Sequence, residues 1–509
     1  MQSLKLYSRI AASAVAPFAI CLAFSMLSPL RADAAGAGAH LQMGERALDN
    51  YILPGADIVP ELAAFRQDNE LMYAFYSGCM LPDTLQDGIN DDAAEFSHWF
   101  AFDKAYLEFI KERYPYPWNK EAARHVAFFL GVICHNVGDT PWHFDEGPYK
   151  ALMTQARKMD GCRNLDLVGE LFARTLLRLR PEIAGHFWWP YDDVVEVFKR
   201  CGIEVTMDQV VRGSEQPERE YARAGIFGPI VYPLFRYEYP WTREHFEDYF
   251  YGGIDSGASL VAMCLRYVYG DLVGWRVYQD IPIQKAVFPN ERPFTPCADV
   301  TLNERYPDNS AGGEPLLELA GNGPGDRRAT LLRFDVSDIP SSGQIHEARL
   351  WLYFAKRTGD AQVAPKTIEV HRVSRPWTAG AGSQDDVSGS EGKPASEGEA
   401  TWTHAQQSVT PWAQPGCAGA PQDHDPDVID ALTITPSSSP GRWMAWNVTA
   451  PVRYWADNPE KNFGLLLEQA PAETPTPGIL QFYSSDAFKA QPDGYGGAVV
   501  AFRPILTVH

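Results

Sequence analysis

Cysteine is scarce: eight residues in 509, one of them Cys21 within an N-terminal apolar run. The seven that follow are an odd and widely scattered set. That excludes a disulfide framework and leaves at least one thiol free or bound elsewhere. Basic charge is also short, with 44 Lys and Arg against 65 Asp and Glu and a net charge of −21. Such acidity argues against sequence-general nucleic-acid binding and against charge-driven adsorption to anionic lipid. Past the N-terminus there is no apolar stretch of the roughly 20 residues that a membrane helix needs. The one long apolar run, Ala11–Leu27, follows Lys5 and Arg9 and precedes Ala32-Asp33-Ala34, an A-x-A cleavage pattern. Residues 1–34 therefore read as a secretory signal peptide, and the protein as secreted or periplasmic. Pro17 inside the run makes a retained anchor the weaker reading. Cleavage would remove Lys5, Arg9, Arg31 and Asp33, leaving the mature chain two units more negative.

What is present changes period partway along. From Ala35 to about Asp280, apolar residues recur at helical spacing in Gly44–Asn50, Val59–Tyr76, Phe102–Arg113, Ala122–Asp139 and Val168–Leu179. Residues 281–297 are proline-rich and aperiodic, a linker. Beyond them the period becomes that of strands. In Ala348–Phe354, Ala348, Leu350, Leu352 and Phe354 face one way, and Arg349, Trp351 and Tyr353 the other. Thr330–Val336, Thr367–Val373, Phe463–Leu467 and Val499–Val508 are further strand candidates, and Thr378–Glu399 is a loop. The expectation is an all-α domain over 35–280 and an antiparallel, jelly-roll-like β-sandwich over 298–509.

Within the helical part, Val126–His143 (VAFFLGVICHNVGDTPWH) places His135, Asp139 and His143 at steps of four in an apolar segment. Steps of four share a helix face. Histidine and ionised aspartate rarely enter such a segment unless paired or metal-bound, and together they suit zinc. The same spacing also suits a buried His–Asp hydrogen bond with His143 exposed. Pro141 predicts that the helix ends or kinks near Thr140, directing His143 to a second, neighbouring site. His40, Asp83 and His98 are further metal-type residues upstream.

The segments AHLQMGERAL (Ala39–Leu48), YSGCMLPD (Tyr76–Asp83), FSHW (Phe96–Trp99), YPYPWNK (Tyr114–Lys120), FFLGVICHNVGDTPWH (Phe128–His143) and YFYGGIDS (Tyr249–Ser256) occur in this order. Together they resemble the zinc-dependent phospholipase C family, and within it the glycosylphosphatidylinositol-specific phospholipase D branch. The resemblance implies an all-helical domain holding two or three zinc ions. One ion would take Asp83, His98, His135 and Asp139. A second would take His40, the shared Asp139 and the amine and carbonyl of Ala35, the mature N-terminus. A third would take His143 and a later His-x-x-x-Glu or His-x-x-x-Asp pair. Here the sequence departs from the family, offering Cys162 with Asp166, or Asp166 with Glu170. Cys162 with Asp166 is preferred because thiolate is a good zinc ligand and the spacing suits one helical face. Asp145 and Glu146 are alternatives for ligation or substrate contact.

The resemblance implies a secreted zinc-dependent phosphodiesterase that hydrolyses a phospholipid or glycosylphosphatidylinositol-type phosphodiester through zinc-bound hydroxide, with Asp83 orienting or deprotonating the water. A zinc nuclease or nucleotidase is the enzymatic alternative. A carbohydrate- or surface-binding protein with an impaired helical domain is the other. Residues 298–509 resemble a DNRLRE-type sandwich, which implies polysaccharide as a partner and calcium as a further ligand. Outward Trp351 and Tyr353 would then stack on sugar rings or, the preferred reading, contact the helical domain.

Overall fold

The computed structural model describes residues 37–86, 88–145, 150–177, 186–247, 249, 252–282, 297–359, 364–384, 390–471, 477–487 and 496–509. The expected signal peptide, Ala35, Glu146 and nearly all of the expected linker lie outside these residues. The chain divides into two compact units. One comprises Met1–Asp49, Ala63–Leu265 and Ile283–Glu291; the other comprises Asn50–Leu62, Arg266–Pro282 and Arg292–His509.

The first unit is helical. Its main helices are α1 (Ala37–Arg46), α2 (Asn69–Gly78), α3 (Asp91–Ser97), α4 (Phe100–Arg113), α5 (Lys120–His143), α6 (Leu152–Asp160), α7 (Leu165–Leu176), α8 (Tyr191–Arg200) and α9 (Met207–Glu238), and α10 (Ile254–Val273) begins in it. The central element is α5. Asn119 caps its first turn by accepting from the Ala122 amide at 2.9 Å, and every residue from Val126 to Trp142 is buried. Gly131 of α5 lies against α2, where a Cβ would collide with the Phe75 carbonyl. The missing side chain lets the two backbones touch, and so brings the turn after α2, Leu81–Leu85, up to α5.

Pro141 does not end α5. The helix continues to His143, and the Phe144 amide still donates to Thr140 O at 3.0 Å. A proline in the last turn removes only its own backbone bond, and the face carrying Asp139 and His143 is unbroken. Helix α9 contains Pro217, Pro229 and Pro233 and still runs 32 residues. Its start is secured by a capping box between Thr206 and Gln209.

The second unit is built on eleven antiparallel strands: β1 (Arg276–Gln279), β2 (Ala298–Asn303), β3 (Leu316–Gly321), β4 (Arg327–Arg333), β5 (Ala348–Thr358), β6 (Lys366–Arg372), β7 (Asp430–Ile434), β8 (Arg442–Asn447), β9 (Leu465–Gln469), β10 (Ile479–Tyr483) and β11 (Ile505–Val508). They form one curled sheet in the order β1-β11-β5-β10-β3-β4-β9-β6-β7, with β8 also on β5 and β2 on β4. Leu350, Leu352 and Phe354 of β5 share an apolar cluster with Ile368 and Val370 of β6, Leu465 and Leu467 of β9, and Leu480 and Phe482 of β10. The alternation expected for β5 is therefore the one that builds the core.

Two differences from the sequence reading stand out. Residues 276–279, read as the end of the helical region, are strand β1, paired with β11 through Arg276 opposite Val508. Gly274, at φ +83°, turns the chain out of α10 just before it. The outward side chains of β5 are also covered within this unit. Trp351 is buried and donates to Thr507 Oγ1 at 3.0 Å, while the Tyr353 ring stacks on Phe502 at 3.9 Å. Neither is laid open for a sugar ring, the less favoured of the two roles read for them from the sequence.

Candidate metal centre

Asp139 stands at the centre of the helical unit's polar cluster. His40 Nε2 lies 3.3 Å from Asp139 Oδ1, and His143 Nε2 lies 3.4 Å from the same oxygen. His135 Nε2 and His98 Nε2 are 3.5 and 4.0 Å from Asp139 Oδ2. Asp83, on the Leu81–Leu85 turn, comes within 3.2 Å of His98 Nε2 and 3.8 Å of His135 Nε2. Their ligand atoms form two close groups, His40–His135–Asp139 and Asp83–His98–His135.

Backbone contacts orient these rings. His135 Nδ1 meets Cys79 O at 2.8 Å and His98 Nδ1 meets Ala94 O at 2.8 Å, so each imidazole turns Nε2 inward. Asn136 donates to Ser97 O and to the buried Asp103, tying α5 to the residue before His98 and to α4. Room for His40 comes from Gly138, where a Cβ would stand 3.3 Å from His40 Nδ1 and 2.8 Å from Met43 Sδ. The Glu170 carboxylate accepts from the Gly38 amide at the start of α1, which carries His40.

The electrostatics are those of carboxylates and imidazoles packed against one another. Among the described residues, the ion pairs of Asp83, Asp139 and Asp166 run to histidines. Burial pushes Asp139 up, but His135 and His40 outweigh it and hold the carboxyl well below the usual range. Burial disfavours the His98 cation, yet the hydrogen-bonded Asp83 pushes it up to about 9. His40 is lowered, first by burial and then by neighbouring His135.

Zinc fits these residues. His40 Nδ1 and Nε2, His135 Nε2, Asp139 Oδ1 and Glu170 Oε1 are buried without a hydrogen-bond partner, a costly arrangement unless something else engages them. Most of the N···O separations exceed hydrogen-bond length. Two donors about 2.0–2.1 Å from a tetrahedral ion stand roughly 3.3–3.4 Å apart, close to what is seen here.

The expected third group is split. Asp166 Oδ1 lies 3.7 Å from His143 Nε2 and accepts from Trp142 Nε1 at 3.2 Å. Burial pushes its carboxyl up to about 6 against the pull of His143. Cys162 does not share its helical face, which corrects the reading from spacing. Helix α7 starts at Leu165, so Cys162 precedes it, packed in an apolar cluster with Trp142, Leu165 and Phe246. Its thiol is pushed up to about 12, chiefly by burial and then by Asp160. Asp145 instead accepts from the Ala151 amide at 2.8 Å. The sequence reading did not single out Asn136, Asp103 or the Cys79 and Ala94 carbonyls. Asn136, a polar residue beside His135 in an apolar helix, was the available signal.

Comparison with known proteins bears on the region that carries these residues. A family model described as zinc dependent phospholipase C matches residues 39–212, so the resemblance read in the motifs holds for the N-terminal region. Over the same half, the chain is 25% identical across 243 residues to phosphatidylinositol-glycan-specific phospholipase D of Bos taurus, covering 45% of this chain and 28% of that protein. The Homo sapiens and Dictyostelium discoideum proteins of that name are 24% identical over 237 residues and 26% over 216. The chain thus spans 28%, 28% and 22% of the length of these three relatives. Residues 318–487 match a model described as TGF-beta propeptide. Calcium and polysaccharide gain no support among the described residues. No helix of the described residues is long and apolar enough to cross a membrane.

Proposed function

We propose that the helical region is a zinc-dependent phosphodiesterase acting on a phospholipid or a glycosylphosphatidylinositol-type lipid anchor, exported from the cell that makes it. The observation that carries this reading is the convergence of His40, Asp83, His98, His135, Asp139 and His143, with orphaned buried ligand atoms, in the region that resembles zinc-dependent phospholipase C. His40, Asp83, His98, His135 and Asp139 would hold two ions, with Asp139 shared. His143 would hold a third with Asp166, and Glu170, one turn along α7 with a buried Oε1 that has no hydrogen-bond partner, is the alternative to Cys162. Bound zinc supplies Lewis acidity that neutralises phosphodiester oxygens and lowers the pKa of water toward about 7.

The chain's own residues position the substrate and move the proton. Asp83, His98 and His143 form the part-exposed edge of the cluster, with side chains 16%, 17% and 14% exposed, where a phosphodiester and a water would enter. Asp83 would orient that water or accept its proton. The Cys79 and Ala94 carbonyls fix the tautomers of His135 and His98, and Trp142 steers Asp166 toward His143. Ala35 enters through its amine, which exists only after signal cleavage. An N-terminal extension on Ala35 is therefore expected to lower both zinc content and activity, and equal values for both forms would remove Ala35 from the site.

The experiment assays phosphatidylcholine, phosphatidylinositol and single-stranded DNA side by side. Hydrolysis of a phospholipid, lost with a chelator and regained with zinc, is expected. Cleavage of DNA alone would instead favour the nuclease reading.

A further inference from the structure

Helix α9 packs on α7 with Gly228 close against Leu171 and Thr175. Its opposite face is bare. Ile226, Ile230 and Tyr237 are 65%, 70% and 85% exposed, and Ala222, Pro229 and Pro233 on the same face are exposed too. These positions recur at three and four residues, one stripe about 22 Å long. A helix of a water-soluble unit normally turns charged and polar groups outward, and a contiguous apolar stripe marks an interaction surface.

The charge of the same stretch tells what it meets. From Tyr221 to Tyr237 there is no Asp or Glu, although the chain carries 65 of them, and the only charges are Arg223 and Arg236. An acid-free strip avoids the repulsion that the rest of this acidic chain meets at a phosphate-bearing surface. A guanidinium at each end suits headgroup phosphates, and Tyr237 has the amphipathic ring found at membrane interfaces. A second copy fits less well. Antiparallel pairing of two such stripes would set Arg223 of each against Arg236 of the other, the nearest carboxylate being Glu238 just past the strip's end.

We propose that this face of α9 docks the protein on the surface of a phospholipid bilayer, the helix lying in the interface with Ile226 and Ile230 reaching the acyl boundary. The surface's identity rests on the phospholipid reading above. The test therefore scores binding separately from turnover.

The full chain is sedimented with phosphatidylcholine vesicles at physiological salt. The unaltered protein is expected to bind, with little change as salt is raised. Ile226→Asp/Ile230→Asp is expected to weaken binding at least about tenfold and to slow hydrolysis of vesicle lipid. Its circular dichroism and its rate on a short-chain, monomeric phosphatidylcholine should be unchanged. If the double aspartate variant does not fold, Ile226→Ser/Ile230→Ser decides by the same binding measurement. No binding by the unaltered protein, or equal binding by protein and variant, overturns the proposal. So does a dimer that the variant converts to monomer while vesicle binding persists. Vesicle binding lost in the variant, with no hydrolysis of any phospholipid by either form, would leave the docking face standing and remove the phospholipase reading.

Discussion

Asp139 is the residue on which the proposed centre turns, because its two oxygens face four histidines. Asp139→Asn keeps the shape but removes the charge and one good ligand atom. Activity is expected to fall at least about a hundredfold and zinc content to drop, with the helical circular dichroism retained. Full zinc content with full activity would show that Asp139 bridges nothing. The third group gives a sharper contrast. Asp166→Asn is expected to lower zinc stoichiometry, whereas Cys162→Ser should leave it unchanged. Metal analysis of the two variants decides, and the opposite pattern would restore Cys162 as a ligand. The motif residues from His40 to His143 could be read in the sequence because their chemistry and order are both unusual. Cys162 misled because residues 162 and 166, like 166 and 170, are four apart. Only the start of α7 at Leu165, marked by the Asn164 cap, separates the two pairs, and helix starts are poorly fixed by periodicity.

At the scale of elements, α5 holds the centre and its glycines decide what approaches it. Gly131→Ala would drive a methyl into the Phe75 carbonyl where α2 meets α5. It is expected to cost roughly 2–4 kcal/mol and to displace the Asp83 turn, lowering thermal stability and zinc affinity together. A Gly131→Ala protein that melts like the parent would contradict the close approach. The apolar run of α5 made the helix legible, but its last turn was not, because a proline there costs only one backbone bond whereas one in a helix interior breaks the helix. Helix α9 escaped notice for a similar reason. Three prolines broke its pattern, although two of them lie on a face that nothing in the helical unit covers. Strand β1 was missed because four residues are too short to show a period of two, and only pairing with β11 defines them.

Across the whole molecule, the switch from helical to strand period was legible because each unit builds its own core, so each repeats its own pattern. What covers the outer face of β5 was not, since a Trp on an alternating strand looks the same whether solvent or Phe502 lies beyond it. The strand-rich unit also carries a pH-sensitive feature. Asp299 of β2 is fully buried, and burial, reinforced by Asp486, pushes it up to about 8 while it accepts from the Ser485 amide at 2.8 Å. Its folded-state value exceeds the unfolded one, so the folded form holds the extra proton between about pH 4 and 8. The contribution of Asp299 is therefore full at low pH and is lost as pH rises through 8. Asp299→Asn should stabilise this unit relative to the parent at pH 8.5, by on the order of 1–3 kcal/mol, and much less at pH 5. Denaturant unfolding at the two pH values checks this, and a difference independent of pH would contradict it.

Zinc held by these histidines and aspartates is proposed to make the helical region a phospholipid-type phosphodiesterase. The most direct measurement strips the purified protein with a chelator, titrates zinc back, and follows bound metal and phosphatidylinositol or phosphatidylcholine hydrolysis in the same samples. Hydrolysis is expected to be absent in the stripped protein and to return as two to three zinc ions per chain are taken up. Zinc uptake without hydrolysis of either lipid, or hydrolysis that survives complete removal of metal, would contradict it.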